Sequence, residues 1–157
     1  MAVVGAGPAG LAAAHDAWLR GHAVTLFDRE DAPGGLLRTG IPAYRLPRAE
    51  LDRDVARIAE RVDFRPRTAL GRDITIEGLL EEGFDAVILA VGAQRSIPLR
   101  LPGEGPRVGD ALDYLRRVNL GLAVDTGCKV VVVGGGNAAV DAARSALRSG
   151  AERVTIV

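Results

Sequence analysis

The sequence predicts an α/β fold: a parallel sheet with flanking helices, followed by the first β-α-β of a second domain of the same design. Three observations predict it. A glycine-rich turn follows a short apolar stretch at the very start of the chain. The whole unit, Val3-Val4-Gly5-Ala6-Gly7-Pro8-Ala9-Gly10, recurs about 130 positions later as Val132-Val133-Gly134-Gly135-Gly136-Asn137-Ala138-Ala139. Between the copies, apolar runs alternate with stretches of helical spacing, the pattern of a parallel sheet with crossover helices.

Each element follows from local chemistry. After both glycine turns a small-residue-rich helical stretch runs to a closing glycine, Gly21 in one copy and Gly150 in the other. Both then enter a β-branched strand, Val24–Phe27 and Val154–Val157. Pro33 to Pro47 is punctuated by Pro and Gly and reads as a long loop. Arg48 to Val62 reads as an amphipathic helix, with Leu51, Val55, Ile58 and Val62 on one face. Arg65–Leu70 and Ala86–Val91 read as strands, the second an unbroken apolar run suited to a buried parallel sheet. Ile97 to Gly109 reads as a linker, and a short helix from Asp110, with Leu112, Leu115 and Val118 on one face, leads into the second unit. The first domain is therefore placed at residues 1–109, and the start of the second at 110–157.

The first turn, Gly5-x-Gly7-x-x-Gly10, sits after a strand and before a helix, the context in which such glycines cradle a pyrophosphate. Gly5 permits the tight turn, Gly7 lets the backbone approach the phosphates, and Gly10 lets helix and strand pack closely. Unpaired N–H groups and the positive dipole end at the helix N-terminus complete an anion site, and Pro8 costs nothing in the first turn. Asp28, 23 positions beyond Gly5, ends the second strand, where a carboxylate accepts hydrogen bonds from both ribose hydroxyls and repels a 2′-phosphate. Both units are thus Rossmann-like dinucleotide-binding units. His15 and Trp18, at i and i+3 on the first helix, read as packing residues, since no carboxylate or Ser partner accompanies them.

Composition removes several classes. The 20 basic and 20 acidic residues balance, so no nucleic-acid or anionic-membrane partner is indicated. No apolar run reaches the length of a membrane span, and the apolar start lacks the basic flank of a signal peptide. Cys128 is the sole cysteine, which rules out an internal disulfide and a redox-active cysteine pair within these residues. A cytoplasmic setting is expected. No metal ligand set and no protein catalytic residue is assigned.

The run Gly34-Gly35-Leu36-Leu37-Arg38-Thr39-Gly40-Ile41-Pro42-Ala43-Tyr44-Arg45-Leu46-Pro47 is more specific. Together with the first glycine turn it resembles the glutamate synthase small (beta) subunit family, whose relatives include the flavin domain of dihydropyrimidine dehydrogenase and adrenodoxin reductase. Phe84–Ala93 and Leu101-Pro102-Gly103-Glu104 are similar to that family's second flavin-domain motif, and Gly134–Arg144 to its NADPH loop. The resemblance covers essentially the whole chain. It implies two cofactors, FAD and NADPH. It places the FAD pyrophosphate on Gly5, Ala6, Gly7, Pro8, Ala9 and Gly10, and the adenosine ribose on Asp28 with Arg29. Gly35, Leu36 and Arg38 would line the cofactor, and the backbone of Leu70 would meet the adenine. Gly134, Gly136, Asn137, Ala138 and Ala139 would receive the NADPH pyrophosphate.

The same resemblance implies a flavin-dependent oxidoreductase passing electrons from NADPH through FAD to an iron–sulfur domain or subunit that is not among these 157 residues. Two alternatives stand beside it: a ferredoxin–NADP reductase of the adrenodoxin-reductase type, and a non-catalytic FAD-binding remnant. Family members carry an upstream Cys-rich segment and continue beyond the second strand of the NADPH unit. The chain is therefore expected to be a fragment, inactive in isolation.

Overall fold

β1 (Ala2–Val4) is the centre of a four-stranded, wholly parallel sheet in the computed structural model, which describes residues 1–93, 96, 105 and 107–157. The Leu101–Glu104 motif lies outside the described residues. The strand order is β3 (Asp63–Arg65), β2 (Thr25–Phe27), β1 and β4 (Val87–Leu89). In register, Val3 stands beside Leu26 on one side and Ile88 on the other. All three β1 residues are buried, as a strand covered on both faces requires. The predicted parallel α/β architecture is observed.

α1 (Pro8–Leu19) covers one face through Leu11, Ala14 and Ala17, whose small side chains let the helix lie close to the strands. It ends at Gly21, whose φ of +88° a side chain would resist. On this helix His15 and Trp18 rings lie 6.2 Å apart, and the Arg61 guanidinium stacks 5.0 Å over Trp18, in keeping with packing roles. Elsewhere in the sheet's core, Ala2, Val4, Phe27 and Leu79 form a cluster with Leu70, Ile74, Phe84 and Val87 packed against it.

Several boundaries differ from the sequence expectation. α3 (Arg48–Ala59) buries Leu51 and Val55 as expected but ends before Val62. The reason is tertiary: the Asp63 amide donates to the Val24 carbonyl at 3.0 Å, drawing the chain into the ladder beside β2. The third strand consequently occupies Asp63–Arg65 rather than Arg65–Leu70. Pro66 cannot donate to a ladder, and Arg67 adopts a φ of +54°, so pairing stops there. β4 is shorter than Ala86–Val91, and as an edge strand among the described residues it leaves Leu89 exposed. Within the expected long loop lies a helical turn, α2 (Leu36–Thr39). α4 (Ile76–Glu81), which sequence reading did not identify, is capped by the Thr75 hydroxyl accepting from the Gly78 amide at 3.0 Å.

Contacts divide the chain into two units, Met1–Arg38 with Arg48–Gln94, and Thr39–Pro47 with Arg95–Val157. The second contains α5 (Ala111–Asn119), β5 (Lys129–Val132), α6 (Asn137–Arg148) and β6 (Arg153–Ile156), the two strands pairing in parallel. α5 starts at Asp110, whose carboxylate accepts from the Leu112 and Asp113 amides at 3.0 and 2.9 Å. Burial raises the Asp110 pKa, but hydrogen bonds from Ser96 and these amides outweigh it and hold the carboxyl below its ordinary value. A depressed pKa contributes stability above the unfolded value and loses it as pH falls through the folded one. Asp110→Ala should therefore cost about 1 kcal/mol at neutral pH, read as a lower urea midpoint. The gap to the parent should close as pH drops below about 4.

Candidate functional site

The sequence repeat is a repeat of backbone geometry. Gly5 and Gly134 have φ of +106° and +116°. Each donates its amide at 2.8 Å to the end of the neighbouring strand, at the Phe27 and Val157 carbonyls respectively. Gly7 and Gly136 are the N-caps of α1 and α6, both with φ of −77° and extended ψ. Neither cap offers a side-chain acceptor to the first turn, and neither first turn contains an acidic residue. Both helix N-termini thus present amide donors and a positive dipole end, the electrostatics that suit a pyrophosphate.

The first turn is tightly built. A Cβ on Gly5 would press into the Ala90 carbonyl at the end of β4, and one on Gly10 would run into the Gly5 carbonyl oxygen. Ala6 is buried between these glycines, while Pro8 and Ala9 are exposed at the start of α1. Gly34 and Gly35, with φ of +127° and +51°, form a second glycine turn that lies directly on the first. The Gly34 amide donates to the Ala6 carbonyl at 2.7 Å, and a Cβ on Gly35 would come within 2.7 Å of the Gly7 Cα. Leu36 is exposed on α2 beside this turn. Arg38 is mostly buried: its Nε donates to the Pro33 carbonyl at 2.9 Å and its guanidinium pairs with Asp52 on α3. It braces the glycine turn.

Asp28 does more than end β2. Its Oδ2 accepts from the Ala6 amide at 2.5 Å and its Oδ1 from the Glu30 amide at 2.8 Å. Its own amide donates to Arg65, and its carbonyl accepts from Thr68. The residue therefore ties the glycine turn to β2 and to the segment after β3, with carboxylate lone pairs left for further donors. Arg29, half exposed, directs its Nε to Glu30 at 3.2 Å. Leu70 is half-buried, bridged to Ile74 and packed on the core cluster. The structure thus gathers all the residues expected around the first turn in one unit, with Glu30 and Asp52 as partners that sequence reading missed. Glu30 was legible as an acid two positions after Asp28; Asp52 was not, because only the fold brings α3 to Arg38.

The second turn is more open. Gly134, Gly135, Gly136 and Asn137 are exposed, and a Cβ on Gly135 or Gly136 would meet nothing within 4 Å. Ala138 is half-buried, and Ala139, in the place of Gly10, is buried with its Cβ 3.9 Å from where a Gly134 Cβ would stand. The methyl group fills the gap that the first unit closes with bare backbone.

These two turns have known counterparts. Residues 1–157 match the family described as pyridine nucleotide-disulphide oxidoreductase. The chain is 44% identical over its full length to the NADPH-Fe(3+) oxidoreductase subunit beta of Geobacter sulfurreducens, covering 24% of that subunit. It is 42% identical to the glutamate synthase [NADPH] small chain of Mycobacterium tuberculosis, with 96% of this chain and 34% of the relative aligned. Its fold matches M. tuberculosis FprA in complex with NADPH with a TM-score of 0.80 at 29% identity, over 99% of this chain and 42% of FprA. The chain thus spans about a quarter to two-fifths of these proteins. The duplicated glycine turns and the match over every residue give one conclusion: the chain belongs to the pyridine nucleotide-disulphide oxidoreductase family.

Proposed function

We propose that the first unit binds FAD, that the turn before α6 binds NADPH, and that the protein passes electrons from NADPH through FAD to an iron–sulfur domain or subunit. The observation that carries this reading is the second glycine turn locked onto the first. A simple nicotinamide dehydrogenase needs one glycine turn per dinucleotide. Here Gly35 abuts Gly7 so closely that a single Cβ could not stand between them, so two glycine turns are joined at one site. The amides at the start of α1 would hold the FAD pyrophosphate, and Asp28, with Arg29 beside it, the adenosine ribose. Gly35, Leu36 and Arg38 would line the cofactor, and the Leu70 backbone would meet the adenine. Gly134, Gly136, Asn137, Ala138 and Ala139 would receive the second dinucleotide. Residues 1–109 then serve the flavin and 110–157 open the pyridine-nucleotide domain.

When bound, FAD accepts a hydride from the nicotinamide and releases electrons onward. The protein's share is to hold and orient both dinucleotides, so no acid–base pair is assigned. Ala139 favours NADPH, because its methyl spaces α6 from the turn and leaves room for a 2′-phosphate. The G. sulfurreducens and glutamate synthase relatives and the FprA complex all carry NADPH in their names. Among the described residues no helix is long and apolar enough to cross a membrane, and we place the protein in the cytoplasm.

The test is made on the full-length protein. Cofactor released by heat should absorb and chromatograph as FAD, and kcat/KM in reducing a soluble iron–sulfur protein should be higher with NADPH than with NADH. Release of a pyridine nucleotide alone would overturn the FAD assignment. A preference for NADH would overturn the nucleotide assignment, and failure to reduce any iron–sulfur acceptor while dyes are reduced would overturn the acceptor.

A further inference from the structure

The segment Thr39–Pro47 leaves the first unit after Arg38, belongs by its contacts to the second, and returns at Arg48. Its attachments are specific. At its start, the buried Thr39 carbonyl accepts from Asn119 Nδ2 at the end of α5, at 2.9 Å. Further on, Tyr44 and Arg45 engage α6 at the i, i+3 and i+7 positions 141, 144 and 148. Arg45 pairs with Asp141 at 2.7 Å. The guanidinium groups of Arg144 and Arg148 both stack on the Tyr44 ring, at 4.6 and 4.1 Å from its centre. The Tyr44 hydroxyl also reaches the Asp141 carbonyl, at 3.4 Å.

Two features make this more than surface decoration. First, Asp141 lies one helical turn beyond Asn137 and its side chain is only 5% exposed, yet among the described residues Oδ1 has no hydrogen-bond partner. The carboxylate therefore depends on Arg45, and removing that cation would strand a buried charge. Second, Gly136 is the N-cap of α6, so the second glycine turn runs straight into the helix that this segment holds.

We propose that Tyr44 and Arg45 are positioning residues for the second dinucleotide: the Thr39–Pro47 strap clamps α6 and thereby sets how the Gly136–Ala139 amides face the pyrophosphate. The inference rests on the reading of that turn as the NADPH site. It also assigns a use to the Tyr44-Arg45 pair that the flavin-side residues Gly35, Leu36 and Arg38 do not need.

The experiment uses full-length, FAD-loaded protein and the variants Arg45→Met, Arg45→Lys, Tyr44→Ala and Arg45→Met/Asp141→Asn. NADPH affinity is read from flavin fluorescence, and KM and kcat from dye reduction. Arg45→Met should raise Kd and KM for NADPH about tenfold, with FAD content unchanged and kcat at saturating NADPH within about twofold of the parent. Tyr44→Ala should act in the same direction. Arg45→Lys should restore most of the affinity. The double variant, which lacks the pair but leaves no buried charge unpaired, should stay weak, because the clamp itself is gone. That persistence separates a clamp from a mere stranded-charge effect, and rescue by Arg45→Lys ties it to the pair. Parent-like affinity in Arg45→Met, or a double variant restored to the parent's affinity, would overturn the proposal. Absence of NADPH binding in the parent would instead overturn the assignment of the second turn.

Discussion

Gly10→Ala is expected to leave a protein that retains little FAD. The added Cβ would be driven into the Gly5 carbonyl oxygen, 2.9 Å from the carbonyl carbon and 3.3 Å from the Ala90 Cβ. Gly5 cannot yield, because its φ of +106° and the Ala90 carbonyl behind it fix its place. The strain must then be relieved by moving α1 away from β1, and α1 carries the amides that would face the pyrophosphate. Overpacking of this kind costs about 1–3 kcal/mol in stability. A displacement of roughly 1 Å at a binding turn can cost about a hundredfold in function. Gly136→Ala is the internal comparison, since φ there is −77° and a Cβ meets nothing within 4 Å. Flavin absorbance per protein should fall sharply in Gly10→Ala and stay near the parent's in Gly136→Ala. Full flavin content in Gly10→Ala would show that the first turn is not the FAD site.

Asp28→Ala should produce the second largest loss, through two separable effects. The carboxylate accepts from the Ala6 and Glu30 amides in the protein itself, and the proposed ribose hydroxyls would add to these. Hydrogen bonds to a charged acceptor are each worth about 1.5–3 kcal/mol. Losing the ribose contacts should weaken FAD about a hundredfold. The loss of the Ala6 brace should also lower the melting temperature of the apoprotein, an effect a purely ligand-facing residue would not have. Asp28→Asn should fall between, since its amide nitrogen must face one of the two N–H donors. FAD titration and apoprotein melting together decide the matter: unchanged apoprotein stability would remove the bracing role, and unchanged FAD affinity the ribose role.

The glycine spacing, the terminal Asp28 and the repetition of both motifs were sufficient by themselves to determine a duplicated parallel α/β design and the location of its two glycine turns. That information is local: a φ near +100°, a pyrophosphate-wide approach and an uncapped helix start each demand particular residues within a few positions. Element ends were less legible. β3 begins at Asp63 because β2 offers ladder partners there, and α3 gives up its last predicted turn to that pairing. Gly34 and Gly35 could be recognised as a turn, but not that Gly35 rests on Gly7, since nothing in the positions between them encodes the approach. The same holds for Arg45 and Asp141, 96 positions apart. Helical spacing sets Asp141 on the polar face of α6 with Asn137, Arg144 and Arg148; only the tertiary structure buries it there and supplies the cation that makes a buried carboxylate tolerable. Chemistry confined to one turn was written in the sequence, whereas every brace between distant turns was decided by packing.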